Sequence, residues 1–187
     1  MLIPNALLNL ISLRNLNQVT TVYIHHSVAD PTFDVTQIAE MEKLSQGFVT
    51  VGYNYYVKCL NRENDIWVGQ VARPLNRIPA AQYGDNLHGY AICIAGNYEP
   101  NGAPFLTTVS DKALHVTAAQ ILLVKAKCPN LKWLQGHRDV KAEEMRLNTW
   151  LTDAYASAQY GTACPGNDLY RELPKLRQMT GLGNVLN

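Results

Sequence analysis

An α/β domain with a mixed central β-sheet flanked by helices is the fold class this sequence predicts, and three observations carry it. Short runs rich in β-branched and aromatic residues alternate with segments of helical character, the order in which sheets with covering helices are built. One run, Gly89 to Ala95 (GYAICIA), is nearly all apolar, as a strand covered on both faces must be. The chain has 187 residues and is 47% hydrophobic, enough for one domain with a sizeable core.

The elements follow in order. Thr21 to His26 (TVYIHH) is β-branched and aromatic and reads as a buried strand ending in two histidines. Asp34-Val35-Thr36-Gln37 has the form of a capping box and opens a helix to about Gln46, with Ile38, Met41 and Leu44 or Ser45 along one side. Gly47 stops it. Tyr53 to Leu60 alternates as a strand, Asn61 to Asp65 turns, and Ile66 to Val71 returns as its hairpin partner. Pro100, Asn101, Gly102 and Pro104 mark a loop after the apolar run.

A long helix ends at Lys127 and is strongest from Thr117 through Val124. Thr117-Ala118-Ala119-Gln120 offers it one capping box, while the residues near Asp111 offer an earlier start. Leu131 to Gln135 is a short strand leading into Gly136-His137, and residues 141 to 158 have a helical flavour. Asp168 begins a final helix through Arg177, turning Leu169, Leu173 and Leu176 inward, with Pro174 placed to kink or end it.

The N-terminal stretch Met1 to Leu13 is apolar and uncharged until Arg14. A secretory signal would need a basic start and small residues at a cleavage site, and neither is present. The stretch is also too short to span a bilayer. Leu7, Leu10 and Ile11 fit a short amphipathic helix, so residues 1–19 are expected to pack on a domain formed by 20–187. The expectation is synthesis in the cytoplasm without an export signal, no stable membrane insertion, and a monomer. Sixteen basic residues against 15 acidic ones leave a net charge of +1, with none of the basic excess that marks a nucleic-acid partner. Four cysteines are an even number, but their scatter and the hydrophobic content argue against a disulfide-stapled scaffold. Cys59, Cys93 and Cys128 read as buried structural thiols.

Cys164 stands apart. Thr162-Ala163-Cys164-Pro165-Gly166 sets a thiol on a tight turn just before a helix, and Gly136-His137-Arg138-Asp139 sets an imidazole just after a strand. His25 and His26 end another strand, where alternation sends neighbours to opposite faces, one toward a cleft and one into packing. His88 in a polar loop and His115 beside the long helix read as surface or packing residues. Two imidazoles and a thiolate are a donor set for catalytic zinc. Three protein ligands leave a tetrahedral position for water, whose pKa then falls toward about 7.

With those stretches in view, the chain resembles the zinc-dependent N-acetylmuramoyl-L-alanine amidases shared by phage endolysins, bacterial cell-wall hydrolases and catalytic peptidoglycan-recognition proteins. The matching stretches are VYIHHS at 22–27, GYNYYVK at 52–58, AICIAGNY at 91–98, GHRDV at 136–140 and TACPGNDLY at 162–170, in family order from about residue 20 to 180. The resemblance implies Zn2+ on His25, His137 and Cys164, with His26 turned away. It implies that Tyr53 and Thr162 stabilise the transition state by hydrogen bonding. The implied reaction is hydrolysis of the amide between N-acetylmuramic acid and L-alanine in peptidoglycan or muropeptides, in the setting of a phage or prophage endolysin.

Two departures from the family stand out. Ala80-Ala81-Gln82 occupies a segment where the family often has a histidine, and an insertion at roughly 141–160 lengthens the interval between His137 and Cys164. Trp150, Tyr155 and Tyr160 in that insertion can stack on sugars or pack helices, with packing slightly favoured. Competing readings are a non-catalytic peptidoglycan-recognition module, a cytoplasmic muropeptide-recycling amidase, and a cysteine peptidase with Cys164 as nucleophile and His137 as base.

Overall fold

A five-stranded mixed sheet organises the computed structural model, which describes residues 12–47, 50–101 and 104–186. The strands are β1 (Thr21–His26), β2 (Tyr55–Asn61), β3 (Ile66–Val71), β4 (Gly89–Ile94) and β5 (Trp133–Gly136), in spatial order β3-β2-β4-β1-β5. β1 runs parallel to both β4 and β5, β2 runs parallel to β4, and the β2–β3 hairpin is antiparallel. The helices are α1 (Val35–Gln46), α2 (Asp111–Lys125), α3 (Val140–Leu147), α4 (Asp153–Tyr160), α5 (Asn167–Arg171) and α6 (Leu173–Thr180). This is the mixed sheet with flanking helices that the strand and helix patterns predict.

The central strands β1 and β4 are buried at every position, because parallel strands are covered on both faces. On one face Val22, Ile24, Val57 and Ile92 pack with Leu114 and Ile121 of α2 and with Leu169, Leu173 and Leu176. On the other, Tyr56, Cys93 and Ala95 pack with Val35 and Ile38 of α1. Register aligns His25 with Cys93, and Cys93 with Tyr56, in one row across the sheet. Period-2 alternation therefore puts His25 on the α1 face, while Val22 and Ile24 point to the α2 face.

α1 starts as its sequence requires. Asp34 accepts from Thr36 N and Gln37 N, Gln37 returns a bond to the Asp34 N–H, and Gly47 closes the helix in a left-handed conformation. Its inner side runs Ile38, Met41 and Ser45, all bordering a cleft, whereas Leu44 is 89% exposed.

Two expectations are corrected. Of the two starts the sequence offers for α2, the earlier one near Asp111 is the one used, and the Thr117 box does not open the helix. The N-cap is Ser110, and Thr117 is a buried mid-helix residue whose hydroxyl donates to Ala113 O. The final helix is also two helices, because Pro174 sits in the first turn of α6, where its missing N–H is harmless, and α5 ends at Arg171. All four cysteines are free thiols. The amphipathic helix expected over Leu7, Leu10 and Ile11 lies outside the described residues. Leu13, at the end of that stretch, forms an antiparallel bridge with Arg77. Beside it the buried Arg14 guanidinium donates to the carbonyls of Leu75, Asn86, Leu87 and Gly89, tying the start of the domain to the loop before β4.

Candidate metal centre

The three donors arrive from three separate places. His25 is the next-to-last residue of β1 and is 1% exposed, and His137 opens the 3₁₀ turn that follows β5. Cys164 lies on the turn before α5. Its N–H donates to Thr162 Oγ1 at 3.2 Å, and Gly166 follows with φ 89°. A side chain at Gly166 would run into the Tyr98 carbonyl carbon, 2.6 Å from its Cβ position, so glycine is needed here twice over. Gly136 likewise lets Pro165 and Tyr170 come within 2.9 Å of where a Cβ would be, bringing the two loops together.

Further bonds lock that approach. Arg138 N donates to Cys164 O at 2.9 Å. The Arg138 guanidinium reaches Asn167 Oδ1 and Ala163 O, pairs with Glu99 at 3.5 Å, and lies 4.6 Å over the Tyr170 ring. Asp139 holds the other side, accepting from Gly136 N at 2.8 Å and from the Tyr170 hydroxyl at 2.7 Å. Its buried carboxyl is pushed up by desolvation, against those two hydrogen bonds.

One donor atom from each of His25, His137 and Cys164 lies within 4.8 Å of the others. Cys164 Sγ is 3.6 Å from His25 Nδ1, and the two imidazole centroids are 4.6 Å apart. A tetrahedral zinc with bonds of about 2.0–2.3 Å spaces its ligand atoms about 3.3–3.8 Å apart, so the set fits with small inward movements. The tautomer fits as well. Gln82 Oε1 lies 3.2 Å from His25 Nε2, so Nε2 carries the proton and Nδ1 keeps its lone pair for a metal. Burial holds all three groups neutral. The His25 pKa is lowered by desolvation, that of His137 is lowered to about 4, and the Cys164 thiol is pushed up to about 12. A dication is the partner that would reverse the preference of the thiol.

The other expected residues are nearby. Tyr53 tilts against His25 with ring centroids 5.3 Å apart, and its phenol is held well above its ordinary pKa by burial. Thr162 borders the same cleft while also capping Cys164. His26 stacks on Tyr98 and takes the Tyr98 N–H on Nδ1, although it too borders the cleft. His88 pairs with Asp85 and His115 is exposed on α2, both outside the donor set. Three residues of the site were missed by sequence reasoning alone. Gln82 was read only as a departure on the substrate side, Arg138 only as part of a motif, and Glu42 was not singled out.

The cleft has a volume of about 870 Å³ and holds the donors at its floor. α1 forms one wall with Ile38, Met41 and Glu42, and Asn97 and Glu99 line the cleft near the Cys164 turn. In the insertion, Trp150 is 72% exposed and packs on Tyr155, while Tyr160 stacks on Tyr83, which lines the cleft.

No family model and no curated protein sequence matches the chain. Solved structures do. An N-acetylmuramoyl-L-alanine amidase endolysin, LysCS from Clostridium intestinale, matches with a TM-score of 0.64 at 18% identity, over 92% of this chain and 90% of that one. The Ph2119 endolysin of a Thermus scotoductus bacteriophage matches with 0.60 at 14% identity, over 91% and 89%. Drosophila PGRP-LB matches with 0.64 at 18% identity, over 94% and 88%. The chain has the fold of the amidases and peptidoglycan-recognition proteins. Among the described residues no helix is long and apolar enough to cross a membrane.

Proposed function

We propose that this chain is a zinc-dependent N-acetylmuramoyl-L-alanine amidase that cuts the amide between N-acetylmuramic acid and L-alanine, and that it serves as a phage or prophage endolysin acting on the cell wall. The observation that carries the reading is the convergence of His25, His137 and Cys164 at the floor of a cleft of about 870 Å³. An amidase endolysin of the same fold supports the reaction, and a phage endolysin supports the setting. A recognition protein of this fold needs no set of metal donors, whereas a zinc hydrolase needs three ligands and an open fourth position.

His25, through Nδ1, His137 and Cys164 would hold the metal, and Gln82 fixes the His25 ring for it. Zinc, when bound, supplies Lewis acidity toward the scissile carbonyl and lowers the pKa of water. Tyr53, whose phenol stays protonated across the working range, gives a hydrogen bond to the charge developing on the carbonyl oxygen. Thr162 accepts the Cys164 N–H, which leaves its own proton free for the same oxygen. Asn86 and Asn97 also line the cleft, where their side-chain oxygens accept from Ala81 N and Gln82 N and from Glu99 N and so shape its wall.

The same geometry argues against a cysteine peptidase. An activated nucleophile needs a depressed thiol pKa, and here burial drives Cys164 up to about 12. Mass spectrometry of purified peptidoglycan after digestion tests the proposal, with chelator and zinc add-back as arms. Free stem peptides and sugar chains with intact lactyl groups, lost on chelation and restored by zinc, are expected. Intact peptidoglycan with zinc bound would point to a recognition module, and cleavage within the stem would point to a peptidase.

A further inference from the structure

Among the described residues, two other than glycine hold a left-handed backbone, Val28 at φ 52° and Asp65 at φ 49°. Asp65 sits in the turn between β2 and β3, and a short polar side chain suits such a position. Its carboxylate accepts from Trp67 Nε1 and Ser110 Oγ, so its own bonds hold it there. Val28 is the opposite case. A β-branched side chain crowds the backbone in this conformation, and burial in the core would be the ordinary compensation. Val28 is instead 51% exposed and borders the cleft.

The chain is pinned on both sides of it. Val28 N donates to Gly96 O at 3.0 Å, and Ser27 Oγ accepts from Gly96 N at 3.0 Å. Ala29 is fully buried in the cluster that holds Val35 and Ile38 of α1, and Asp30 pairs with Arg62 at 2.7 Å. Strain persists where the surroundings over-determine it, and such residues gather at functional sites. The conformation also redirects the side chain. Along β1, Val22 and Ile24 face α2, and continued alternation would send residue 28 the same way. The left-handed turn breaks that alternation, and Ser27 and Val28 both border the cleft just past His25. Ile38 and Met41 of α1 border it too, which gives the cleft apolar wall as well as metal donors.

We propose that Val28 is a specificity-determining residue whose side chain meets a methyl group beside the bond that is cut. This rests on the amidase reading and names what its site selects. An N-acetylmuramoyl-L-alanine amide carries one methyl on each side of the scissile bond, on the lactyl group and on L-alanine. Either one matches a small apolar surface that stands in water until substrate covers it. One such group in an apolar contact is worth about tenfold or more in selectivity. Glycine or asparagine would take this backbone with less strain, but neither offers the branched surface.

The test is a cycle of variants and substrates on the full chain at a fixed zinc concentration. The substrates are a muramoyl peptide with both methyls, one with glycine in place of L-alanine, and one with glycolyl in place of the lactyl group. Wild-type kcat/KM should fall about tenfold on losing one of the two methyls, and that substrate names the group Val28 meets. Val28→Gly and Val28→Asn should melt about 1–4 °C higher than the wild type, because both accept the left-handed backbone. Both should discriminate the same pair of substrates by about twofold or less. Val28→Ile keeps the branch and should keep the wild-type ratio. Ratios unchanged in V28G and V28N overturn the proposal, and so do melts that fail to rise in both. A wild type indifferent to both methyls, or an equal loss on all three substrates in both variants, overturns it as well. Calorimetric binding of the same peptides separates this from the amidase reading. A chain that cuts nothing, yet binds the methylated peptide about tenfold more tightly and loses that preference in V28G, keeps Val28 in its role and removes the amidase. A chain that neither cuts nor binds them removes both.

Discussion

Two sides of one cleft are built on opposite terms. The floor is made of strand ends and a braced turn. His25 is 1% exposed, its ring is fixed by Gln82, and the loops carrying His137 and Cys164 are joined by Arg138, Asp139 and two close-approach glycines. At the rim, the α3–α4 insertion leaves Trp150 72% and Tyr155 51% exposed, and Tyr160 joins it to the cleft by stacking on Tyr83. The difference teaches which half can tolerate change. A donor set for a tetrahedral ion demands positions fixed to a few tenths of an ångström, and a sheet supplies them. A surface that meets a polymer does not need that precision, and aromatic rings carried on a peripheral insertion are enough.

Substitutions can break the contrast, beginning with the largest expected effect. Cys164→Ser keeps the volume and removes the soft donor. Zinc retained through gel filtration should fall well below one per chain, and turnover should drop by about a thousandfold or more, while the thermal melt of the metal-free protein barely moves. Normal zinc content together with normal turnover would take Cys164 out of the site. Arg138→Ala comes next. It removes charge-assisted bonds to Asn167 and Ala163, the pairing with Glu99 and the packing on Tyr170, so denaturant melts should show a loss of about 2–4 kcal/mol. Arg138→Lys should recover only part of it, since an ammonium cannot span a fork of acceptors. A full recovery would mean that charge alone, and not the fork, joins the two loops.

Much of this floor was legible in the sequence, because its signals are local. Thr21–His26 and Ile66–Val71 are strands over the very residues that composition marks, and the Asp34 box caps α1. The thiol before a helix and the histidine after a strand read directly from neighbours in the chain. Packing decided the rest. Thr117-Ala-Ala-Gln120 has the letters of a cap, yet Ser110, seven residues earlier, holds the helix start and Thr117 is buried against the sheet. Gln82 meets His25 across 57 residues of chain, and Glu42 meets Gly52 only because α1 lies over that face. No periodicity reports such contacts. A polar residue in a loop or on a helix reads as solvated until the fold encloses it.

Gln82 sharpens the comparison at a smaller scale. Gln82→Leu removes the acceptor that fixes the His25 tautomer while filling the same buried space, so competition against a chromogenic chelator should show zinc held about 10–100-fold more weakly. Unchanged affinity would mean that strand geometry alone fixes the ring.

The rim should respond least, and here the two uses of its aromatics separate. Trp150 touches Tyr155 and is otherwise in water, so Trp150→Ala should shift stability by about 0.5 kcal/mol or less. Tyr160 packs close to Gly84, where its ring lies 2.8 Å from the position a Cβ would take, and Tyr160→Ala should cost about 1 kcal/mol through lost packing. If the insertion only packs, neither change moves KM on peptidoglycan beyond what the melts account for. If its rings also meet sugars, Tyr83→Ala and Tyr160→Ala raise KM several-fold on long glycan strands and leave kcat and the hydrolysis of a minimal muramoyl peptide alone. Comparing the two substrates separates them, because a loosened fold would slow both equally, whereas a lost stacking surface slows only the substrate long enough to reach it.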